Sequence, residues 1–95
     1  MELTLLSTSF RCEAVIDGFK ITCDEVILKD GQVDSIVAGV VHEPVEEDYK
    51  LFMRFSCYRN GSKMKISASG APLEFDFCNL ISKFISEVEG EFVNS

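Results

Sequence analysis

The sequence predicts an α+β fold: a five-stranded antiparallel β-meander with one C-terminal α-helix packed on one face, all 95 residues forming a single domain. Three observations carry this expectation. Asp17-Gly18, Asp30-Gly31 and Asn60-Gly61 are two-residue hairpin signals, since these residue types tolerate the positive φ of primed turns. Apolar and polar residues alternate with period two around the turns. Beyond the break at Gly70-Ala71-Pro72, apolar residues recur at helical spacing.

Taken in order, Glu2–Leu6 reads as a short strand or edge extension. From Ser9 the alternation sets Phe10, Cys12, Ala14 and Ile16 against Arg11, Glu13 and Val15. Closing Asp17-Gly18 pairs Ile16 with Phe19, Ala14 with Ile21, Cys12 with Cys23 and Glu13 with Thr22. The second strand breaks phase at Asp24-Glu25, where a β-bulge would return Val26 and Leu28 to the inner face. The third, Val33–His42, has apolar residues on both parities (Val33, Val37 and Val41 against Ile36, Ala38 and Val40). That pattern predicts either cover on both sides or a face switch at Gly39. Pro44 is expected to end the strand, leaving Glu43, Glu46, Glu47 and Asp48 in an acidic surface loop.

Leu51–Arg59 and Ser62–Ser69 follow, joined through Asn60-Gly61. This closure predicts Cys57 opposite Met64, Phe55 opposite Ile66 and Met53 opposite Ala68. On the other face it sets Tyr58 against Lys63, Ser56 against Lys65 and Arg54 against Ser67. Apolar pairs separate from polar pairs throughout, and a one-residue slip would destroy that. The helix is predicted from Phe75 or Asp76 to Glu89, with Asp76 as N-cap and Gly90 past its end. Phe77, Leu80, Ile81, Phe84 and Val88 form its apolar stripe, and the inner face of the sheet is the surface it would cover.

Composition sets outer bounds. An apolar content of 46% with eight phenylalanines argues for a packed core rather than disorder. No apolar run approaches the roughly 18–20 residues needed to cross a bilayer. Met1–Leu6 lacks the basic n-region of a secretory signal, so a cytoplasmic protein is expected. Cys12, Cys23, Cys57 and Cys78 form no C-x-x-C pair. All four are assigned to apolar faces, where a free thiol behaves as a small hydrophobe. Cys12 and Cys23 face each other as a hydrogen-bonded pair, close enough to admit a bridge, yet the closer open pairs suit cross-strand bridges better, so thiols are expected.

The ingredients of catalysis are missing. His42 is the single histidine and no cysteine pair accompanies it, so zinc spacing is unmet. The acidic loop lacks the Asp-x-Asp-x-Asp-Gly pattern of a calcium loop. No nucleophile elbow, convergent carboxylate pair or glycine-rich phosphate loop occurs. A non-enzyme without metal or cofactor is therefore expected.

Charge is the remaining signal. The net charge of −7 disfavours nonspecific attraction to nucleic acid or anionic membranes. Yet Tyr49–Leu73 holds five basic residues and no acidic one, while the rest of the chain holds all sixteen acids. Lys50, Phe52, Arg54, Tyr58, Arg59, Lys63 and Lys65 form the candidate partner-binding set. Arginine and tyrosine are enriched at protein hot spots, although lysines on an edge hairpin also simply deter aggregation. Glu43, Glu46, Glu47 and Asp48 form the opposite, acidic surface. The pattern points to a small acidic protein that docks on a larger partner protein. An inhibitor or regulator encoded by a phage or mobile element fits that size and acidity. The alternative is a nucleic-acid- or nucleotide-binding module using the same basic and aromatic face. Edge strands offer a third route, a homodimer, and no membrane partner is expected.

Overall fold

Four hairpin turns fold the chain back on itself in the computed structural model, which describes residues 8–93. The expected strand over Glu2–Leu6 lies outside the described residues. Strands β1 (Thr8–Ile16), β2 (Phe19–Lys29), β3 (Gln32–Val45), β4 (Asp48–Asn60) and β5 (Lys63–Ser69) make one antiparallel sheet in sequence order. Helix α1 (Phe77–Val93) follows. The predicted meander with one C-terminal helix is thus the observed fold.

Asp17 and Gly18 (φ 52° and 85°) and Asp30 and Gly31 (φ 53° and 78°) supply positive φ at both central positions, as a type I′ turn demands. The β1–β2 register matches expectation: Cys12 lies opposite Cys23 and Ile16 opposite Phe19. Between Cys12/Cys23 and Phe10/Val26 the second strand holds one residue more than the first. This is the bulge at Asp24-Glu25, and it returns Val26 and Leu28 to the core.

Two further bulges sort out β3. One extra residue stands between its pairings of Val33 with Leu28 and of Ser35 with Ile27. Another stands between Ile36/Cys57 and Gly39/Phe55, where Ala38 adopts a positive φ of 54°. Val33, Ile36 and Val41 are therefore all buried on one face despite mixed parity, and Val37 is exposed. Among the described residues the strand is covered on one side only, and its face switches beside Gly39.

Three boundaries differ from expectation. The strand does not end at Pro44, which pairs with Tyr49; the turn is Glu46-Glu47, and Glu43 and Asp48 are strand residues. In a two-residue hairpin, hydrogen-bonded and open pairs alternate outward from the turn, so Pro44 falls on an open pair. Its nitrogen points away from β4, on the side where β2 has already ended at Lys20/His42. The β4–β5 turn is Gly61-Ser62 rather than Asn60-Gly61. Only Gly61 has positive φ (66°), which is the type II′ requirement of glycine at the first central position. Each partner moves by two residues: Cys57 faces Ile66, Phe55 faces Ala68 and Tyr58 faces Lys65. A shift of two preserves both faces, so the segregation of apolar from polar pairs survives. Gly90 lies inside α1, which continues to Val93.

The helix begins as expected. The Asp76 carboxylate accepts the Asn79 amide at 3.0 Å, satisfying one of the orphan donors of the first turn. Leu80, Ile81, Phe84, Ile85 and Val88 are buried against Ile21, Val26, Val33, Ile36, Val41, Met53 and Phe55. Each large side chain so buried contributes roughly 1.5–3 kcal/mol. The helix lies nearest β1 and β3. Met64, Ile66 and Ala68 of β5 are consequently only half-buried on that same face.

Candidate partner-binding face

The sheet has one face under α1 and one free of it, and alternation decides which side chains reach the free face. Arg54, Tyr58, Lys63 and Lys65 all do, and all four are exposed. Tyr58 sits directly opposite Lys65, Asn60 opposite Lys63, Ser56 opposite Ser67 and Arg54 opposite Ser69. The small serines and the bulge at Ala38 leave a shallow depression beside Arg54.

Three members of the expected set are elsewhere. Phe52 is the extra residue of a bulge in β4, between Val41/Met53 and His42/Leu51. The bulge turns its ring to the inner side, 5.2 Å from Phe19 and 4.8 Å from Phe75 between centroids. It is half-buried and packs against the core rather than standing on the face of Arg54 and Tyr58. Arg59 shares the inward parity of Phe55 and Cys57. Its Nε donates to the Val33 carbonyl at 3.1 Å, and its guanidinium lies 3.5 Å from Glu89. Glu89 in turn accepts the Val33 amide at 2.8 Å. The β3–β4 ladder stops at Ser35/Tyr58, so these two side chains satisfy backbone groups of Val33 that have no strand partner. Lys50 lies opposite Glu43 on the overhanging end of the β3–β4 ribbon and pairs with it at 3.4 Å.

The surviving set has an electrostatic distinction. Lys20, Lys29, Lys50, Arg59 and Lys83 are each paired with a carboxylate. Among the described residues Arg54, Lys63, Lys65 and Arg11 make no ion pair, and three of these four stand together on β4–β5. The helix-free face also exposes Val15, Val37, Leu51 and Tyr58, a scatter of large apolar side chains that alternation alone does not single out. Near its β1–β2 side it carries Glu13, Asp24 and Glu25. Glu46, Glu47 and Asp48 cap the overhanging ribbon, exposed, at the far end of β4 from Lys63 and Lys65.

The cysteines divide unexpectedly. Cys23 and Cys57 are buried, Cys12 is half-buried and Cys78 is exposed on the helix, contrary to its expected apolar position. All four are unbridged. Burial pushes the Cys23 thiol up to about 12, with smaller contributions from Cys12, Cys57 and Asp24. Burial likewise lifts Cys57 to about 11, against an Ile36 backbone hydrogen bond and Arg59. Thiols so disfavoured as thiolates are poor nucleophiles and poor metal ligands. His42 is half-buried between Lys20 and Leu51. Among the described residues no three His, Cys, Asp or Glu side chains converge as a metal site, and no helix is long and apolar enough to cross a membrane. Comparison with family models, characterised proteins and solved structures finds no match to this chain.

Proposed function

We propose that this chain is a non-enzymatic protein-binding domain that docks on a larger partner through the helix-free face of β4 and β5. One observation carries the reading: three cations with no ion pair among the described residues share one face of β4 and β5 with exposed Tyr58, Lys65 directly opposite it and Arg54 four residues along, while five of the other basic side chains are paired. Unpaired cations beside an aromatic suit a partner surface bearing carboxylates, with Arg54 and Tyr58 as the anchoring contacts. An inhibitor or regulator working by occlusion, in the reducing cytoplasm that free thiols favour, fits this design. Nucleic acid fits less well. A strand tracking this face would also meet Glu13, Asp24 and Glu25, within a molecule of net charge −7.

Affinity capture from the native host tests this. The double variant R54E/K65E is expected to lose the captured protein entirely, while R11E, reversing the unpaired cation of β1, retains it. Equal capture by all three proteins, or oligonucleotide binding that falls steeply with salt, would overturn the proposal.

A further inference from the structure

We infer that β5 is an acceptor for strand addition, and that its occupant is an extended partner segment alternating acidic with apolar residues. This rests on the protein-binding reading and specifies how that face is used. Strand β5 is an edge of the sheet, with no neighbour beyond it among the described residues. Asn60 and Lys63 flank a two-residue turn and are therefore a hydrogen-bonded pair, after which bonded and open pairs alternate. Lys63, Lys65, Ser67 and Ser69 thus direct their N–H and C=O groups to β4. Met64, Ile66 and Ala68 direct theirs outward, a row of donors and acceptors at the register an added strand needs.

The side chains specify what would add. On the helix side Met64, Ile66 and Ala68 are half-buried, because α1 lies over β1 and β3 rather than over β5. Apolar side chains of an incoming strand would continue the core there. On the free side Lys63 and Lys65 make no ion pair among the described residues, and acidic residues at alternate positions would meet them. A second copy of β5 fits worse, since it gathers four lysines on one side with no acid among them.

A blocked seven-residue peptide alternating glutamate with valine is the probe, with the same residues in two blocks as control. The alternating peptide is expected to bind at least about tenfold more tightly than the control. It should slow amide exchange at Met64, Ile66 and Ala68 while leaving Lys65 and Ser67 unchanged. Ile66→Pro removes an outward N–H that β4 does not use, so the hairpin should persist while binding is lost. K63E/K65E should abolish binding without loss of fold. Charge-dependent binding of both peptides alike, with no protection at the three amides, overturns strand addition while leaving the protein-binding reading standing. Binding of oligo-dT and neither peptide overturns both. Protection that rises with protein concentration in the absence of peptide assigns the edge to a second copy, and overturns the inference.

Discussion

Gly39 shows how much of this fold turns on single positions. It is buried opposite Phe55, whose ring lies across its backbone, and a Cβ there would overlap the ring atoms. Gly39→Ala should therefore lower stability by about 1–3 kcal/mol, the cost of overpacking, as a reduced urea midpoint with unchanged m-value. The same residue scale divides what could be read from the sequence. Asp76 as N-cap and the Asp24-Glu25 bulge were legible because local chemistry and alternation both specify them. Arg59 was legible by parity, being in phase with Met53, Phe55 and Cys57, but its charge argued for solvent. Glu89 and the Val33 backbone come within its reach only when α1 folds over the sheet. Phe52 was illegible, since the bulge that inverts it arises from pairing with β3 and leaves no local mark. Gly61-Ser62 and Asn60-Gly61 are both good hairpin dipeptides, and choosing between them changes partners without changing faces.

At the scale of elements, α1 is held to the sheet by its apolar stripe and by polar ties toward both ends. Lys83 meets Asp17 at 2.7 Å, an exposed pair that contributes little. The Arg59–Glu89–Val33 junction is part-buried and satisfies backbone as well as side chains, so it should contribute more. Arg59→Met removes the donor to the Val33 carbonyl and the charge partner of Glu89, and is expected to cost about 1–2 kcal/mol, while the Val33 amide keeps its bond to Glu89. Glu89→Gln keeps an acceptor for that amide and should cost less. No loss in either variant would show that the helix is held by burial alone. The candidate face was legible at this scale: alternation along two strands put Arg54, Tyr58, Lys63 and Lys65 on one side. The pairing of the remaining cations was not, because Lys20, Lys50 and Lys83 meet carboxylates brought close only by folding.

At the scale of the whole molecule, the buried thiols give stability an alkaline limit. Cys23 and Cys57 keep their protons to about 12 and about 11 when folded, whereas the unfolded chain releases them near the ordinary 9.0. Above that value the unfolded state binds fewer protons, so stability is full below it and falls as pH rises toward the folded values. Unfolding midpoints measured from pH 8 to 11 should decline, and Cys23→Ala should flatten the slope even though the smaller side chain lowers the starting stability. An unchanged slope in that variant would place the loss elsewhere.

The ribbon of β3 and β4 that outruns its neighbours has an effect reaching beyond its own contacts. It carries Glu46, Glu47 and Asp48 to one end of a body 54 Å long, and the β4–β5 turn holds Lys63 and Lys65 at the other end of the same strand. Exposed acids and exposed lysines are thereby held apart by most of the length of β4. A carboxylate-bearing partner is accordingly drawn to the lysine end of β4 and repelled by its acidic end before any atoms touch, and added salt shortens the range of that preference.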